Sequence, residues 1–259
     1  VSVTVGVVLF PGTNCEHDVV EAVGRAGGQA RIVWHGDDRL VGVDAVVLPG
    51  GFAHGDYLRP GAIARFSPVM TAVEAFAREG GPVVGICNGF QVLTEAHLLP
   101  GALQKNRGLS FVCAPAELEV VTDRSVITRG VPRATRLRIP INHFEGNYTC
   151  DDATLDELVG EDRIVLAYLD NPNGSVGAIA GITNAAGNVV GLMPHPERAS
   201  DPLLGSADGL VLLAALLDSA GAGLPLPAAG ATAGPGQRAA AGPGRDAARQ
   251  PPSPAGVDR

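Results

Sequence analysis

The chain opens on an apolar run over residues 3–9, then alternates between apolar runs of strand length and stretches with one apolar side. Val19, Val20 and Val23 fall on one side of a short helix expected over residues 16–25. Strand-like runs recur at 31–34, 44–48 and 82–86, and a glycine-rich loop and a helix near 69–78 lie between the last two. Continuous apolar runs flanked by amphipathic helices predict a parallel sheet covered on both faces, because a strand buried on both sides has no polar face to show.

From about residue 111 the texture turns β-rich, with strand-like runs at 116–122, 136–140, 164–169, 178–184 and 189–193. Asn171-Pro172-Asn173-Gly174 and Ala185-Ala186-Gly187-Asn188 supply turns between them. A last helix is expected from Asp201 as N-cap and Pro202 as first helical residue, with an apolar face of Leu203, Ala207, Leu210, Ala214 and Leu217 and a terminator at Gly221. Beyond it the chain is Ala, Gly and Pro with scattered Arg, and no Leu, Ile, Met or aromatic residue follows Leu226. Such a segment cannot offset its ordering entropy, so a domain over 1–220 and a disordered tail over 221–259 are expected.

Composition narrows the classes. A hydrophobic share of 46% against 18% charged residues suits a globular chain, and a net charge of −8 leaves no broad basic footprint for nucleic acid. Lys105 is the only lysine, a compositional trait to which no function attaches. No stretch is long and apolar enough to span a bilayer, and no basic segment precedes the first apolar run, so neither membrane nor secretion is expected. The four cysteines, Cys15, Cys87, Cys113 and Cys150, lie far apart without metal-finger spacing. That usage suggests a reducing, cytoplasmic setting, where an isolated cysteine is functional or inert rather than disulfide-bonded.

The chemistry centres on Gly85-Ile86-Cys87-Asn88-Gly89, which follows an apolar run and precedes a helix-like stretch. A strand turning sharply into a helix exposes its turn residue above the sheet, and flanking glycines permit the turn. Cys87 is thereby a candidate nucleophile, with unpaired N–H groups of the helix start to favour its thiolate. The candidate base is His195 in Pro194-His195-Pro196-Glu197. In an extended segment Glu197 projects to the same side and can orient the imidazole. Gly50-Gly51, again after a strand, lets backbone approach a ligand, so the N–H groups of Gly51 and Asn88 are candidates for an oxyanion hole. Taken singly, each piece has a plainer reading: Cys87 as a small buried residue, His195 as structural or surface, Gly50-Gly51 as an ordinary turn, Glu197 with Arg198 as a surface ion pair. Together they favour a cysteine hydrolase or transferase.

These same segments, with Phe90-Gln91 after the elbow, resemble the three signatures of class I (triad) glutamine amidotransferases. Longer runs narrow the resemblance: Phe10-Pro11-Gly12-Thr13-Asn14-Cys15, Gly51-Phe52-Ala53-His54-Gly55-Asp56-Tyr57-Leu58-Arg59, Leu98–Leu103, Asn171–Ser175 and Gly205-Ser206-Ala207-Asp208-Gly209. Over residues 3–219 they are similar to the family of separate glutaminase subunits of phosphoribosylformylglycinamidine synthase, of purine biosynthesis. The resemblance implies an α/β, flavodoxin-like three-layer domain with a central, mainly parallel sheet. It implies glutamine as substrate, Cys87, His195 and Glu197 as catalytic residues, and Gln91 and Gly50 at the glutamine site; for Gln91, capping of neighbouring backbone is the other reading. It further implies that ammonia passes to a large synthetase subunit that uses ATP and magnesium, with a small bridging subunit. This chain has no Gly-x-x-x-x-Gly-Lys loop of its own and no cofactor or metal is expected in it.

Other classes stay open: a glutaminase subunit of another synthetase, a γ-glutamyl peptidase, a stress protein with a cysteine elbow, or a catalytically silent binding subunit. One departure from the family pattern stands at Phe144, where His-Gly-Glu-Gly is usual and this chain has His143-Phe144-Glu145-Gly146. His143 itself fits a substrate contact, a partner contact or a structural role. Cys15-Glu16-His17 reads as structural, Cys113 and Cys150 as packing residues, Arg59 and Arg65 as solvated or facing an acidic partner. His54 with Asp56 reads as a flexible loop rather than a second triad.

Overall fold

The computed structural model describes residues 2–222. In chain order its elements are β1 (Thr4–Leu9), α1 (Glu16–Arg25), β2 (Gln29–Trp34), β3 (Ala45–Leu48), α2 (Pro68–Arg78), β4 (Val83–Ile86), α3 (Asn88–Glu95) and β5 (Ala102–Gln104). There follow β6 (Val112–Val120), β7 (Arg136–His143), β8 (Asn147–Thr149), α4 (Asp152–Gly160), β9 (Ile164–Tyr168), β10 (Ile179–Thr183), β11 (Val189–Leu192) and α5 (Gly209–Ala222). Nine strands form one sheet in the order β2-β1-β3-β4-β11-β10-β9-β6-β7, and β5 pairs with β8 apart from it. The pairings from β2 to β11 are all parallel, and those from β11 to β7 all antiparallel. Only β10 and β6 therefore run against the other seven strands of this sheet, which is mainly parallel as expected.

The continuous apolar runs are the strands buried on both faces: every residue of β3, β4 and β11 is buried. Helix α3 packs over β3, β4 and β11, while α1 and α5 pack on each other, with α1 also against β1 and β2. The β-rich second half extends the same sheet by hairpin-like pairings. Strand β7 alternates buried with less buried positions along its length, and β6 does so from Pro115 onward, as a sheet margin with one wet face requires.

Several expectations need correction. The cap chemistry at Asp201 and Pro202 is real, since the Asp201 carboxylate accepts from Leu203 N at 2.9 Å, but it serves a single 3-10 turn. The helix begins later, at Gly209, and buries Leu212, Leu213, Leu216 and Leu217, whereas Leu203 is almost fully exposed. Gly221 lies inside α5 rather than ending it. Helix α4 and the β5–β8 pair were not foreseen; α4 buries only Leu158, so it carries almost no apolar periodicity to read. Cys113 is exposed on β6 rather than packed. The expected tail falls on residues 223–259, outside the described residues. Among the described residues no helix is long and apolar enough to cross a membrane.

Among the described glycines, the one with least room for a side chain has main chain against it. A Cβ placed on Gly89 would lie 1.9 Å from the Leu48 carbonyl oxygen, while one on Gly24, in an exposed turn of α1, would meet nothing within 4 Å. Gly89→Ala is expected to cost at least about 3 kcal/mol by forcing α3 off the sheet. Gly24→Ala is expected to stabilise by about 0.8 kcal/mol through helix propensity alone. Denaturant unfolding of both variants checks the contrast, and equal stabilities would contradict the packing described.

Candidate active site

Cys87 sits where β4 turns into α3, with φ 51° and ψ −104°. A positive φ is strained for a residue with a Cβ and persists only where the surroundings impose it. Here the Cys87 N–H donates to Leu192 O on β11 at 2.8 Å, and the Cys87 carbonyl accepts from Phe90 N and Gln91 N as the first turn of α3. Gly85 and Gly89 face each other across the turn, a Cβ on Gly85 coming within 2.6 Å of Gly89 main chain. The sulfur, nearly buried, points into a cavity of about 140 Å³ and lies 3.7 Å from Asn142 O.

His195 follows β11 and lines the same cavity. Its N–H donates to Pro140 O on β7 at 2.8 Å, which ties the segment across the sheet. Residues 196–199 form a 3-10 turn rather than the extended segment expected, because Pro196 occupies the first helical position, where its fixed φ suits a helix start. Glu197 nonetheless reaches the imidazole, with Oε1 2.6 Å from Nδ1, and both side chains are essentially buried. Burial would depress the His195 pKa, but the charges of Glu197 and Cys87 outweigh it and hold the imidazolium well above the usual histidine range. The Nε2 atom is buried without a hydrogen-bond partner among the described residues, leaving it available to the cavity it shares with Cys87.

Gly50 does not line the cavity. A Cβ there would lie 2.7 Å from His195 Cε1 and 3.2 Å from Cys15 Sγ, so this position is glycine because the imidazole occupies the space beside it. Gly51 does line the cavity, and among the described residues neither its N–H nor that of Asn88 donates to another main-chain group. The Asn88 side chain ties three segments together: Oδ1 accepts from Ala53 N at 2.9 Å, and Nδ2 donates to Asp56 Oδ1 at 3.1 Å and Gln91 Oε1 at 2.9 Å. Gln91 lines the cavity and donates through Nε2 to Glu145 O at 2.6 Å, so its amide shapes the wall by gripping backbone.

Sequence reasoning missed two neighbours. Cys15, the N-cap residue of α1, is buried, and its sulfur accepts from Arg198 Nη2 at 3.2 Å. Cys15 Sγ, a His195 ring nitrogen and a Glu197 oxygen lie within 4.8 Å of one another, a donor set of metal-ligating type. The 2.6 Å His195–Glu197 contact and the cationic Arg198 on the sulfur already account for these atoms. The Phe10–Cys15 run was visible in sequence, but nothing local says that it folds back onto residue 195. Asp56 also lines the cavity. Arg59 is not free, since it forms a bidentate pair with Glu95, and Arg65 donates to Glu95 O at 2.8 Å. His54 Nε2 meets Ser67 Oγ at 3.2 Å, apart from any nucleophile.

The family model of the CobB/CobQ-like glutamine amidotransferase domain matches residues 2–207. Phosphoribosylformylglycinamidine synthase subunit PurQ of Rubrobacter xylanophilus is 59% identical over 216 residues, covering 83% of this chain and 98% of that protein. The protein of the same name from Koribacter versatilis is 53% identical, covering 79% and 93%. Among solved structures, a chain of PurLQS from Thermotoga maritima superposes with a TM-score of 0.78 at 38% identity, covering 84% of this chain and 99% of that one. A glutamine amidotransferase from the same organism, at 19% identity and TM-score 0.56, shares the fold.

Glu197→Gln leaves the His195 imidazole buried without its counter-charge. The ring pKa is expected to fall, since the Glu197 charge, the largest influence holding it up, is lost while burial still opposes the imidazolium. In the wild type, the raised folded-state pKa gives stabilisation that is full below the unfolded value and lost as pH rises through the folded one. The stability gap between wild type and variant should accordingly narrow in alkali. Histidine ring resonances followed through a pH titration check the first point, and an unmoved resonance would overturn it.

Proposed function

The chain belongs to the CobB/CobQ-like glutamine amidotransferase family, and on that premise we propose that it is the glutaminase subunit of phosphoribosylformylglycinamidine synthase. The observation that carries the reading is the convergence of a strained cysteine elbow and a buried His195–Glu197 pair on one cavity. Identities of 53–59% to PurQ subunits over nearly their whole length support the choice of synthetase.

In this reading the Cys87 thiolate attacks the side-chain amide carbon of glutamine and forms the carbon–sulfur bond. The His195 imidazolium gives its proton to the departing nitrogen, so that ammonia leaves and a γ-glutamyl thioester remains. The neutral imidazole then takes a proton from water as that water adds to the thioester carbonyl, and expulsion of the thiolate releases glutamate. Glu197 keeps Nδ1 protonated and stabilises the imidazolium in both half-reactions. The Gly51 and Asn88 N–H groups, neither engaged by main chain, serve as donors for the tetrahedral oxyanion.

Ammonia is consumed by the large synthetase subunit, which converts formylglycinamide ribonucleotide to the amidine in the cytoplasm. ATP and magnesium belong to that subunit, and a small bridging subunit completes the complex. The partnership is supported by the likeness to a chain of the PurLQS structure. The chain on its own is a weak glutaminase in this scheme.

Cys87→Ala is expected to lower glutamine-dependent amidine synthesis by the complex at least about 10³-fold, because the nucleophile is lost and no side chain replaces it. Ammonia-dependent synthesis should stay within about twofold of wild type. Assaying both nitrogen donors on one preparation checks this. Loss of both activities would mean that Cys87 holds the assembly together rather than cleaving glutamine.

A further inference from the structure

A second cavity, of about 450 Å³, shares Asn142 and Arg198 with the catalytic one and is larger than it. That volume falls within the range of small-molecule sites, about 300–1,000 Å³. Helix α1 contributes Asp18, Glu21 and Arg25, whose spacing puts them on one helix face. Strand β6 contributes Cys113, and the 3-10 turn after β11 contributes Glu197 and Arg198.

Glu197 lines this second cavity and not the catalytic one. Its Oε1 is held by His195, while Oε2 is buried without a hydrogen-bond partner among the described residues. A buried carboxylate oxygen left in that state requires an N–H or O–H donor. The remaining charges come in both signs, Asp18 meeting Arg198 at 3.3 Å and Glu21 meeting Arg25 at 3.2 Å. Both pairs are partly exposed, so each gains little from its own contact and can turn to a ligand. The complement of such a wall is a small peptide zwitterion: carboxylates for the two guanidinium groups, an ammonium for the acids, and N–H groups for Glu197.

The cavity also holds a nucleophile that the reaction at Cys87 does not use. Of the four cysteines only Cys113 is exposed. Cys15 is buried against Arg198, Cys87 is nearly buried at the elbow, and the half-buried Cys150 has its thiol pushed up, chiefly by burial. A thiol reacts as thiolate, and only where a reagent reaches it. Directly across the β6–β7 pair from Cys113 stands Asn142, whose carbonyl oxygen is 3.7 Å from the Cys87 sulfur. A group attached to Cys113 therefore lies one strand pair from the nucleophile and in the cavity that Glu197 lines.

We propose that Cys113 is a modification site, where a zwitterionic peptide disulfide leaves half of itself as a mixed disulfide seated in this cavity and so slows glutamine hydrolysis. The Cys113 thiolate attacks one sulfur of the incoming disulfide and forms the new sulfur–sulfur bond. The original sulfur–sulfur bond breaks, and the other half departs as thiolate, so Cys113 is oxidised as that half is reduced. The seated half brings N–H donors to Glu197 Oε2, which draws carboxylate charge away from His195. The slowing rests on the reading of Cys87 and His195 as the glutaminase pair; the adduct itself does not.

The test uses the full chain in complex with its synthetase, as wild type, Cys113→Ser and Arg25→Gln. Each is treated with glutathione disulfide, a peptide zwitterion, or with hydroxyethyl disulfide, which is uncharged, and adducts are located by peptide mass. Relative to their rates with a free thiol, glutathione disulfide is expected to modify wild-type Cys113 at least about fivefold faster than hydroxyethyl disulfide. Arg25→Gln should lose that preference and keep its hydroxyethyl disulfide rate within about twofold. The wild-type glutathione adduct should lower glutamine-dependent synthesis at least about fivefold, leave ammonia-dependent synthesis within about twofold, and be reversed by dithiothreitol. Cys113→Ser should keep its glutamine-dependent synthesis through the same treatment. No preference between the disulfides in the wild type would overturn the site, and an adduct that leaves glutamine-dependent synthesis unchanged would overturn its effect. Equal loss in Cys113→Ser would place the reaction at Cys87 and overturn the proposal. A wild-type complex without glutamine-dependent synthesis before treatment would defeat the glutaminase reading, and the slowing with it, while the two disulfide rates still decide the site.

Discussion

The site depends on how closely the ends of β3, β4 and β11 approach one another. These strands are adjacent and parallel, with Leu48 opposite Gly85 and Ile86 opposite Leu192. Parallel register puts the loops that follow them at one edge of the sheet, the usual place for ligands in open α/β folds. What closes the distance is the absence of side chains. Gly89 lets α3 rest on the Leu48 carbonyl, Gly191 leaves room for the Phe90 ring, and Gly50 leaves room for His195. A Cβ at any of these positions would push apart segments that meet at the cavity, so glycine is what allows the close approach.

Within that frame the hard problem is a buried charge. His195 and Glu197 are both essentially inaccessible, and removing two ions from water costs several kcal/mol each before any attraction is counted. Short contact at 2.6 Å offsets part of this. Neighbouring charge adds to it: burial would lower the Arg198 pKa, but Cys15, then Glu197, then Asp18 together raise it above its ordinary value. The Glu197 main chain is fixed as well, its carbonyl accepting from Ser200 Oγ at 2.9 Å. A pair held this firmly gains little stability from its own attraction. What it achieves is an imidazolium held in one orientation in the cavity that Cys87 also lines.

The parts of this arrangement that sequence could reveal are those encoded locally. Buried parallel strands announce themselves as unbroken apolar runs, and a Gly-x-Cys-x-Gly turn is legible because its steric demand falls within five residues. Helix α1 and the strands around Cys87 were legible for that reason. Cys15 and Asp56 were not, because their meaning arises only when the loop after the first strand folds onto residues 195–198 and the loop after the third onto Asn88 of the elbow. Asp201 shows the opposite failure. Its cap geometry was read correctly, but cap chemistry is the same for one 3-10 turn as for a helix, and the choice between them was made by which leucines α5 could bury. Likewise α4 has a true N-cap, Asp151 accepting from Thr154 N at 2.8 Å, with too little apolar surface to betray it.

Phe144, where the family pattern has glycine, shows how this cavity-lining loop accommodates a larger residue. The loop is held by groups that do not depend on residue 144 being small. Asn106 accepts from Gly146 N and His143, Asn106 N donates to Phe144 O at 2.8 Å, and Asn173 Nδ2 and Ser175 Oγ both donate to Gly146 O. Position 144 has no positive φ to demand glycine, whereas a Cβ on Gly146 would lie 2.3 Å from the His143 ring. The Phe144 side chain instead lines the cavity with its ring 5.9 Å from Lys105 Nζ. The added ring therefore removes none of the hydrogen bonds that position His143 and Glu145. The constraint in this loop lies at the second glycine, and the first is free to vary.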